Sequence, residues 1–455
     1  MNIYKKFNSV EDVRFIKVFK FIVPTYLTSL FTTLYTIVDG IFVSRYVGTN
    51  ALAAINIVYP IVNILTGIAL IFAVGGSSLV GISIGAKHIE KAKKEFSICI
   101  IWSLLIGAII SSIMLLGLNP ILKALGATPS IMESCKIYAL IWLISFPGVI
   151  CKEVFTYFIR IDGSPSSSFI FSLSGGILNI ILDYIFIGKM GMGIMGAGLA
   201  TILGIFLTCA LGIYYFWKKN NILKFTIKEL PIRFLPKCIL NGSAEFIDQI
   251  AVAITTVAFN RVALKFAGED GVAAVSIIMY LQFIVLGIYF GYSMGISPLI
   301  SYAYGNKKKD ICKKLQKYSY ILFLSMALVL YLITFIFAPF AVNFFAEPDS
   351  MVFNLAVSGM RLYGIGFIFS GLNIFTAIRF TAYGRGNISA IITSLRSFLL
   401  LLLFLLTLPI VLGVNGLWIA VPAAELITVF VTIFLIYRNE KRLWNNIKCS
   451  RPSFF

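Results

Sequence analysis

The chain holds one histidine, seven cysteines and 19 acids in 455 residues, against 38 lysines and arginines. The lone histidine, His88, falls in a basic loop and reads as a solvated side chain, so no imidazole cluster is available. The cysteines (Cys99, Cys135, Cys151, Cys209, Cys238, Cys312 and Cys449) are scattered, with no CxxC among them. They suit small hydrophobes in packed helices better than disulfides or metal ligands. A P-loop and an HExxH are both missing, and no extramembrane stretch is large enough to hydrolyse ATP, so any energy must come from an ion gradient. No nucleophile–base constellation at one depth points to an enzyme, and no filter-like repeat points to a channel. Charged residues make up 13% of the chain, roughly half the share of a soluble protein, which excludes a single water-soluble core. Period-2 alternation is also lacking, which excludes a β-barrel. No small-residue cleavage site follows the first hydrophobic run, so it is read as a span and not a removable signal.

What is present is hydrocarbon. Hydrophobic residues are 59% of the chain and the mean hydropathy is +0.94. Apolar runs of about 20 residues recur, long enough to cross a core of about 30 Å as helices. Twelve spans are expected near 15–42, 51–82, 96–118, 135–159, 166–188, 194–217, 238–264, 272–303, 316–338, 352–381, 388–410 and 415–437. Residues 53–87 align without a gap on 273–307, with eleven of 35 positions identical: Ala53/Ala273, Ala54/Ala274, Ile57/Ile277, Ile64/Ile284, Gly67/Gly287, Ile68/Ile288, Gly75/Gly295, Ser77/Ser297, Leu79/Leu299, Gly85/Gly305 and Lys87/Lys307. The register persists where GIMGAGLA (193–200) meets GVNGLWIA (413–420). Six spans per copy is an even number, so both copies insert the same way. The expected fold is therefore all-α and polytopic: twelve transmembrane helices in two six-helix lobes related by a pseudo-twofold axis along the membrane normal. Its divisions are a cytoplasmic N-terminus (1–14), an N-lobe (15–217), a linker (218–237), a C-lobe (238–437) and a cytoplasmic tail (438–455). Transporters use such a duplicated plan, with the substrate handled between the halves.

The basic residues report orientation. On the amino-terminal side of the spans lie 29 lysines and arginines, including Lys5, Lys6, Arg160, Lys219, Arg379, Arg385, Lys441, Arg442, Lys448 and Arg451. The opposite side has six: Arg45, Lys123, Lys136, Lys189, Arg261 and Lys265. By the positive-inside rule both termini are cytoplasmic in a multi-pass protein of the cell membrane, and the charge is topogenic, so no nucleic-acid partner is expected. The loops AKHIEKAKKEFS and GNKKKDICKKLQKYS read as short basic amphipathic helices lying along the anionic inner leaflet of the bilayer.

Acids at bilayer depth are Asp39, Glu153, Asp183, Glu245, Asp248 and Glu425. A carboxylate in hydrocarbon is costly, so each needs a partner, a proton or a cavity. Tyr35 shares a helix face with Asp39, and Asn179 with Asp183, each four residues away; Thr201 opens the sixth span. Two carboxylates, an amide, a hydroxyl and a phenol form an oxygen set suited to Na⁺ (at Asp39, Asn179, Asp183 and Thr201) or to a shared proton. The bland alternative is that the acids merely cap helix ends. Glu245 and Asp248, three apart, share a face of the seventh span; Glu245 is expected to face a central cavity and neutralise cationic compounds. Met279, Tyr280, Gln282, Phe283, Tyr289, Tyr292 and Met294 of the eighth span could line a promiscuous chamber, since aromatic faces attract organic cations and Met adapts to shape. For any one of them, ordinary packing is the rival reading. Arg396 and Glu425, mid-span, read as a structural ion pair, and Lys152 with Glu153 as a similar one.

VDGIFVSRYVGTNALAAINIVYPI and GGILNIILDYIFIGKMGMGIMGAGLAT resemble the multidrug and toxic compound extrusion (MATE) family, in its small bacterial efflux pumps, over essentially the whole chain. The resemblance implies a cation site at Tyr35, Asp39, Asn179, Asp183 and Thr201, whose loading bends the first span and expels the drug; Pro24 could supply a weak point there, a structural kink with no mechanistic part being the alternative. It implies a secondary antiporter exporting cationic amphiphilic molecules in exchange for Na⁺ or H⁺. No cofactor beyond that ion is implied, and the expected state is a monomer. A lipid-linked saccharide flippase of the same superfamily is the alternative. In one branch of the family a glutamate matching Glu245 serves a second cation site, but this chain has no acid between Asp349 and Glu425 to complete it.

Overall fold

A computed structural model describes Tyr4, Phe7 and residues 9–218 and 221–449, apart from the side chains of 36, 37, 40, 41, 44, 49, 50, 52, 441, 442 and 445–449. Lys5, Lys6, Lys219 and Arg451 of the charge count lie outside the described residues, as do the side chains of Lys441, Arg442, Lys448 and Cys449. Among the described residues the chain is helical, without strands. Eleven helical stretches are long and apolar enough to cross a membrane, and one of them, Ile232–Gly305, contains two spans.

The helices are α1 (Phe15–Tyr46), α2 (Thr49–Leu70), α3 (Ser77–Gly85), α4 (Ile89–Leu116), α5 (Leu118–Ala124), α6 (Met132–Ile161), α7 (Pro165–Asp183), α8 (Gly193–Trp217), α9 (Leu235–Gly305), α10 (Lys309–Val342), α11 (Met351–Tyr363), α12 (Ile365–Ala382), α13 (Gly386–Ser394), α14 (Leu400–Leu412) and α15 (Val414–Cys449). Each expected span has its helix. Three contain a π-helical turn: Ile71–Gly76 joins α2 to α3, Tyr184–Lys189 extends α7, and Leu395–Leu399 joins α13 to α14. The seventh and eighth spans are both parts of α9, joined across Gly268, whose φ of +64° only glycine adopts readily. The two basic loops are not separate helices. They form the first turns of α4 and α10, and the chain reverses before each at Lys87 (φ 63°) and Lys307 (φ 58°), so even the turn is duplicated. The tail continues α15.

Two hydrophobic cores result. One gathers buried residues from Val43 to Cys238, the other mainly those from Phe259 to Trp444. Two helices cross between them: Val18, Phe21 and Ile22 of α1 pack in the second core, and Leu235 and Cys238 of α9 in the first. The duplicated glycines are the seam. Gly85 faces the Tyr302 carbonyl and Gly305 the Ile82 carbonyl, so close that a Cβ on either would overlap it. Gly67 meets Phe246 and Gly287 meets Ser29 and Thr33, each duplicate touching the crossing helix of the other lobe. Tyr4 bolts the basic end: it is fully buried, donates to the Ile161 carbonyl at 2.7 Å and stacks on Tyr302 at 4.3 Å. The linker docks on the first lobe, where Asp162 accepts from the Leu223 N–H (2.7 Å) and the Tyr215 hydroxyl (2.8 Å).

Two residues counted as loop charges are buried instead. Arg160 donates to Ser168 at 3.2 Å and stands over the Tyr157 ring. Arg379, 2% exposed, donates to the Tyr320 hydroxyl at 2.8 Å. Each guanidinium finds a hydroxyl and an aromatic ring, while Arg379 Nε has no hydrogen-bond partner among the described residues.

Gly305→Val should cost about 1–3 kcal/mol by overpacking the seam, seen as a lower melting midpoint in detergent; an unchanged midpoint would mean the helices do not touch there. Burial pushes the Asp162 carboxyl up to about 6, against the pull of its Leu223 and Tyr215 donors. The folded chain then binds this proton more tightly than the unfolded chain does, so ionisation as pH rises through that value subtracts from stability. Asp162→Asn should melt above wild type near about pH 7.5 and come level with it only near about pH 3.5, below the ordinary carboxyl value. Equal differences at both pH values would contradict the assignment.

Candidate functional site

The first lobe's polar centre is assembled from α1, α6, α7 and α8. Small residues let α7 approach two neighbours at once: Gly175 lies against the backbone of Gly204 on α8, and Gly176 against Phe31 and Tyr35 on α1. That approach brings Asn179 and Asp183, one turn apart on α7, opposite Tyr35 and Asp39, one turn apart on α1. Tyr35, Asn179 and Thr201 line one small cavity of about 30 Å³, together with Lys152 of α6. One turn further from the basic side, the Asp39 and Asp183 carboxyls meet. The π-helical turn begins directly after Asp183, a distortion that recurs at functional positions.

Asp183 is fully buried and Asn179 is 3% exposed. Neither Asp183 oxygen, nor Asp39 Oδ1, nor either polar atom of the Asn179 amide has a hydrogen-bond partner among the described residues. Buried polar groups are normally satisfied, and here five atoms without a partner lie in one place. Thr201 spends its proton on the Ala197 carbonyl (3.1 Å), leaving its oxygen able only to accept. The five residues expected to form a cation site are thus brought together. Sequence reading missed one neighbour, Tyr138, buried beside both acids, which carries no signal in the sequence. The ion pair read for Lys152 and Glu153 is present at 2.6 Å, at a place in the cavity wall that the sequence did not indicate.

The residues expected to contact cargo are dispersed. Glu245 is buried where the lobes meet, in electrostatic range of Tyr157 on α6 and of Arg396. Asp248 is bonded, accepting from Ser397 Oγ at 2.5 Å and pairing with Arg396 at 3.5 Å. Tyr280 is half exposed, stacks on Phe345 at 6.1 Å, and lies in range of Tyr59, which in turn neighbours Tyr35. Tyr59, half exposed on α2, was not singled out in the sequence. Met279 packs half-buried against the second core, and Gln282 accepts from the Tyr363 hydroxyl at 2.5 Å. Tyr289 faces away from any chamber: it is fully buried and donates to the Phe367 carbonyl at 2.8 Å. The sequence grouped it with the possible chamber residues of the eighth span for its aromatic ring, but its face of α9 is turned into the second core.

A family model, MatE, matches residues 24–185 and again 245–407, one copy per lobe. The chain belongs to the MatE family. The expected family is borne out, and so is the expected architecture. Multidrug export protein MepA of Staphylococcus haemolyticus is 27% identical over 441 residues, covering 93% of each chain. MepA of Staphylococcus saprophyticus is 26% identical over 437 residues with the same coverage. Among solved structures, a MATE crystallised with MaL6 superposes with a TM-score of 0.90 at 22% identity, over 97% of this chain and 99% of that one. The outward-facing conformation of a multidrug resistance MATE family transporter gives 0.88 at 24% identity, over 94% and 96%. These likenesses show the fold, twelve helices in two lobes.

Tyr289→Phe should cost about 1 kcal/mol, the worth of one buried hydrogen bond, and leave cationic-dye affinity as it was. Altered dye affinity at unchanged stability would return Tyr289 to the cavity wall.

Proposed function

We propose that this MatE protein is a secondary active antiporter that exports cationic amphiphilic compounds in exchange for Na⁺ or H⁺ by alternating access. The observation that carries the reading is the Asp39–Asp183 pair, carboxyl against carboxyl with no donor reaching Asp183. Two carboxylates so placed repel unless a proton or a cation is shared between them. The surrounding set is made of oxygens, which fits a hard monovalent cation or a proton equally. Relatives that are multidrug export proteins support the choice of cargo over a lipid-linked saccharide.

α1 is the transmission. Its far half carries Asp39 in the first lobe, while its basic half is packed in the second core. Between them Ser29 Oγ donates to the Gly287 carbonyl at 2.9 Å, on the seam. Pro24 leaves one helix hydrogen bond unmade in this stretch, and the Thr28 hydroxyl donates to its carbonyl at 2.8 Å. Neutralising Asp39 and Asp183 draws the far half of α1 toward α7, and a helix anchored in both lobes passes that movement to their contact. Cargo, held between the lobes near Tyr59, Tyr280 and Glu245, then binds less well. Ion and cargo are antagonistic, as linkage demands of an exchanger. The basic ends face the cytoplasm on this reading, and the working unit is a single chain in the cell membrane.

Asp183→Asn should insert and fold normally yet lower gradient-driven export of a cationic dye from proteoliposomes to the level of empty vesicles. Wild-type efflux under separately imposed pH and Na⁺ gradients identifies the ion. Undiminished export by Asp183→Asn would sink the mechanism.

A further inference from the structure

The two lobes repeat one plan, so the polar centre of the first has a counterpart in the second built from equivalent spans. The first centre draws on spans one, four, five and six. The second draws on spans seven, ten, eleven and twelve: Asp248 on α9, Asn373 on α12, Arg396 and Ser397 on the π-helical turn between α13 and α14, and Glu425 and Thr432 on α15. The same four positions in the helix order feed both sites. Their charges differ.

In the first lobe two acids meet and, among the described residues, no lysine or arginine pairs with them; the nearby ammonium of Lys152 is taken by Glu153. In the second lobe two acids are bridged by one guanidinium. Arg396 Nη2 lies 3.0 Å from Glu425 Oε1, and Nη1 lies 3.5 Å from Asp248 Oδ1. The remaining Glu425 oxygen accepts from Asn373 Nδ2 at 2.7 Å, and Asn373 Oδ1 accepts in turn from Thr432 at 3.0 Å. Arg396 is 8% and Glu425 is 3% exposed. A guanidinium keeps its charge at any physiological pH and presents donors in a fixed fork suited to two carboxylates. Its covalent tether means that it cannot leave.

We propose that Arg396 is a tethered cation filling, in the second lobe, the place that the first lobe keeps for an exchangeable one, so that ion exchange is confined to the Asp39–Asp183 site. This rests on the exchange role proposed above for the first lobe. It also explains the departure noted in the sequence. A tenth span without an acid suffices here, because the second site has no ion to bind and release. Asn373 of that span orients Glu425 and does no more.

The test uses the purified full-length chain and guanidinium as the probe. Arg396→Ala should bind about one guanidinium per chain at least about tenfold more tightly than wild type. The gain should persist with Asp183→Asn added and vanish with Asp248→Asn and Glu425→Gln added. Guanidinium, at concentrations far below denaturing ones, should also restore dye export to Arg396→Ala. No gain in binding, or a gain that Asp183→Asn removes, overturns the proposal. If Arg396→Ala does not fold, the triple variant Arg396→Met, Asp248→Asn, Glu425→Gln, which buries no charge, carries the test. It should exchange the wild-type number of ions per dye, and a changed number overturns the proposal. Full export by Asp183→Asn would instead remove the first lobe's exchange role and leave the guanidinium result standing, so the two failures are distinguishable.

Discussion

A charge in hydrocarbon must be answered, and the fold is organised around how each deep charge is answered. Arg160 and Arg379 are answered by hydroxyls and aromatic rings at helix ends. Lys152 answers Glu153, and Arg396 answers both Asp248 and Glu425. Asp39 and Asp183 are left facing each other, with Asn179 orphaned beside them. Removing one partner from a buried pair is among the more destabilising changes a fold can suffer. An acid pair left incomplete is therefore a cost the rest of the lobe must carry, and the exchange role proposed for it gives that cost a reason.

That local imbalance acts at a distance because the lobes are not separately wrapped. α1 and α9 each begin in one hydrophobic core and end in the other. Duplicated glycines let their backbones lie against the partner lobe with no side chain between. Interfaces packed this closely do not deform gradually; they hold or they part. Asp39 and Ser29, whose hydroxyl donates to the Gly287 carbonyl across the seam, lie on the same helix. At the basic end Tyr4 reaches both lobes, bonded to the Ile161 carbonyl and stacked on Tyr302, while the linker docks on the first lobe.

The two lobes also show how a duplicated fold diverges. The spans, the seam glycines and the turns at Lys87 and Lys307 were kept in both copies. The polar centres were not, and one copy received an arginine where the other has a cavity wall. Backbone packing constrains every residue along a seam, whereas a polar centre is constrained only by the need to close its own charge balance.

The sequence by itself determined the class, the span count and the repeat, because these follow from hydrophobic length and from period-3.6 spacing. Spacing put Tyr35 with Asp39 and Asn179 with Asp183, and their joining with Thr201 into one set was implied by the family resemblance. It also named Glu245, Asp248, Arg396 and Glu425 as deep charges. Only the tertiary structure decided which acids are paired. Spacing along one helix fixes a face, but the partner comes from a helix a hundred or more residues away, as Arg396 does for Asp248. For the same reason Tyr289 looked like a wall and is a core residue, Arg160 and Arg379 looked like loop charges and are buried, and Tyr59 and Tyr138 were passed over. Which side of a helix meets water, lipid or another helix is a property of the assembled bundle, and no local pattern encodes it.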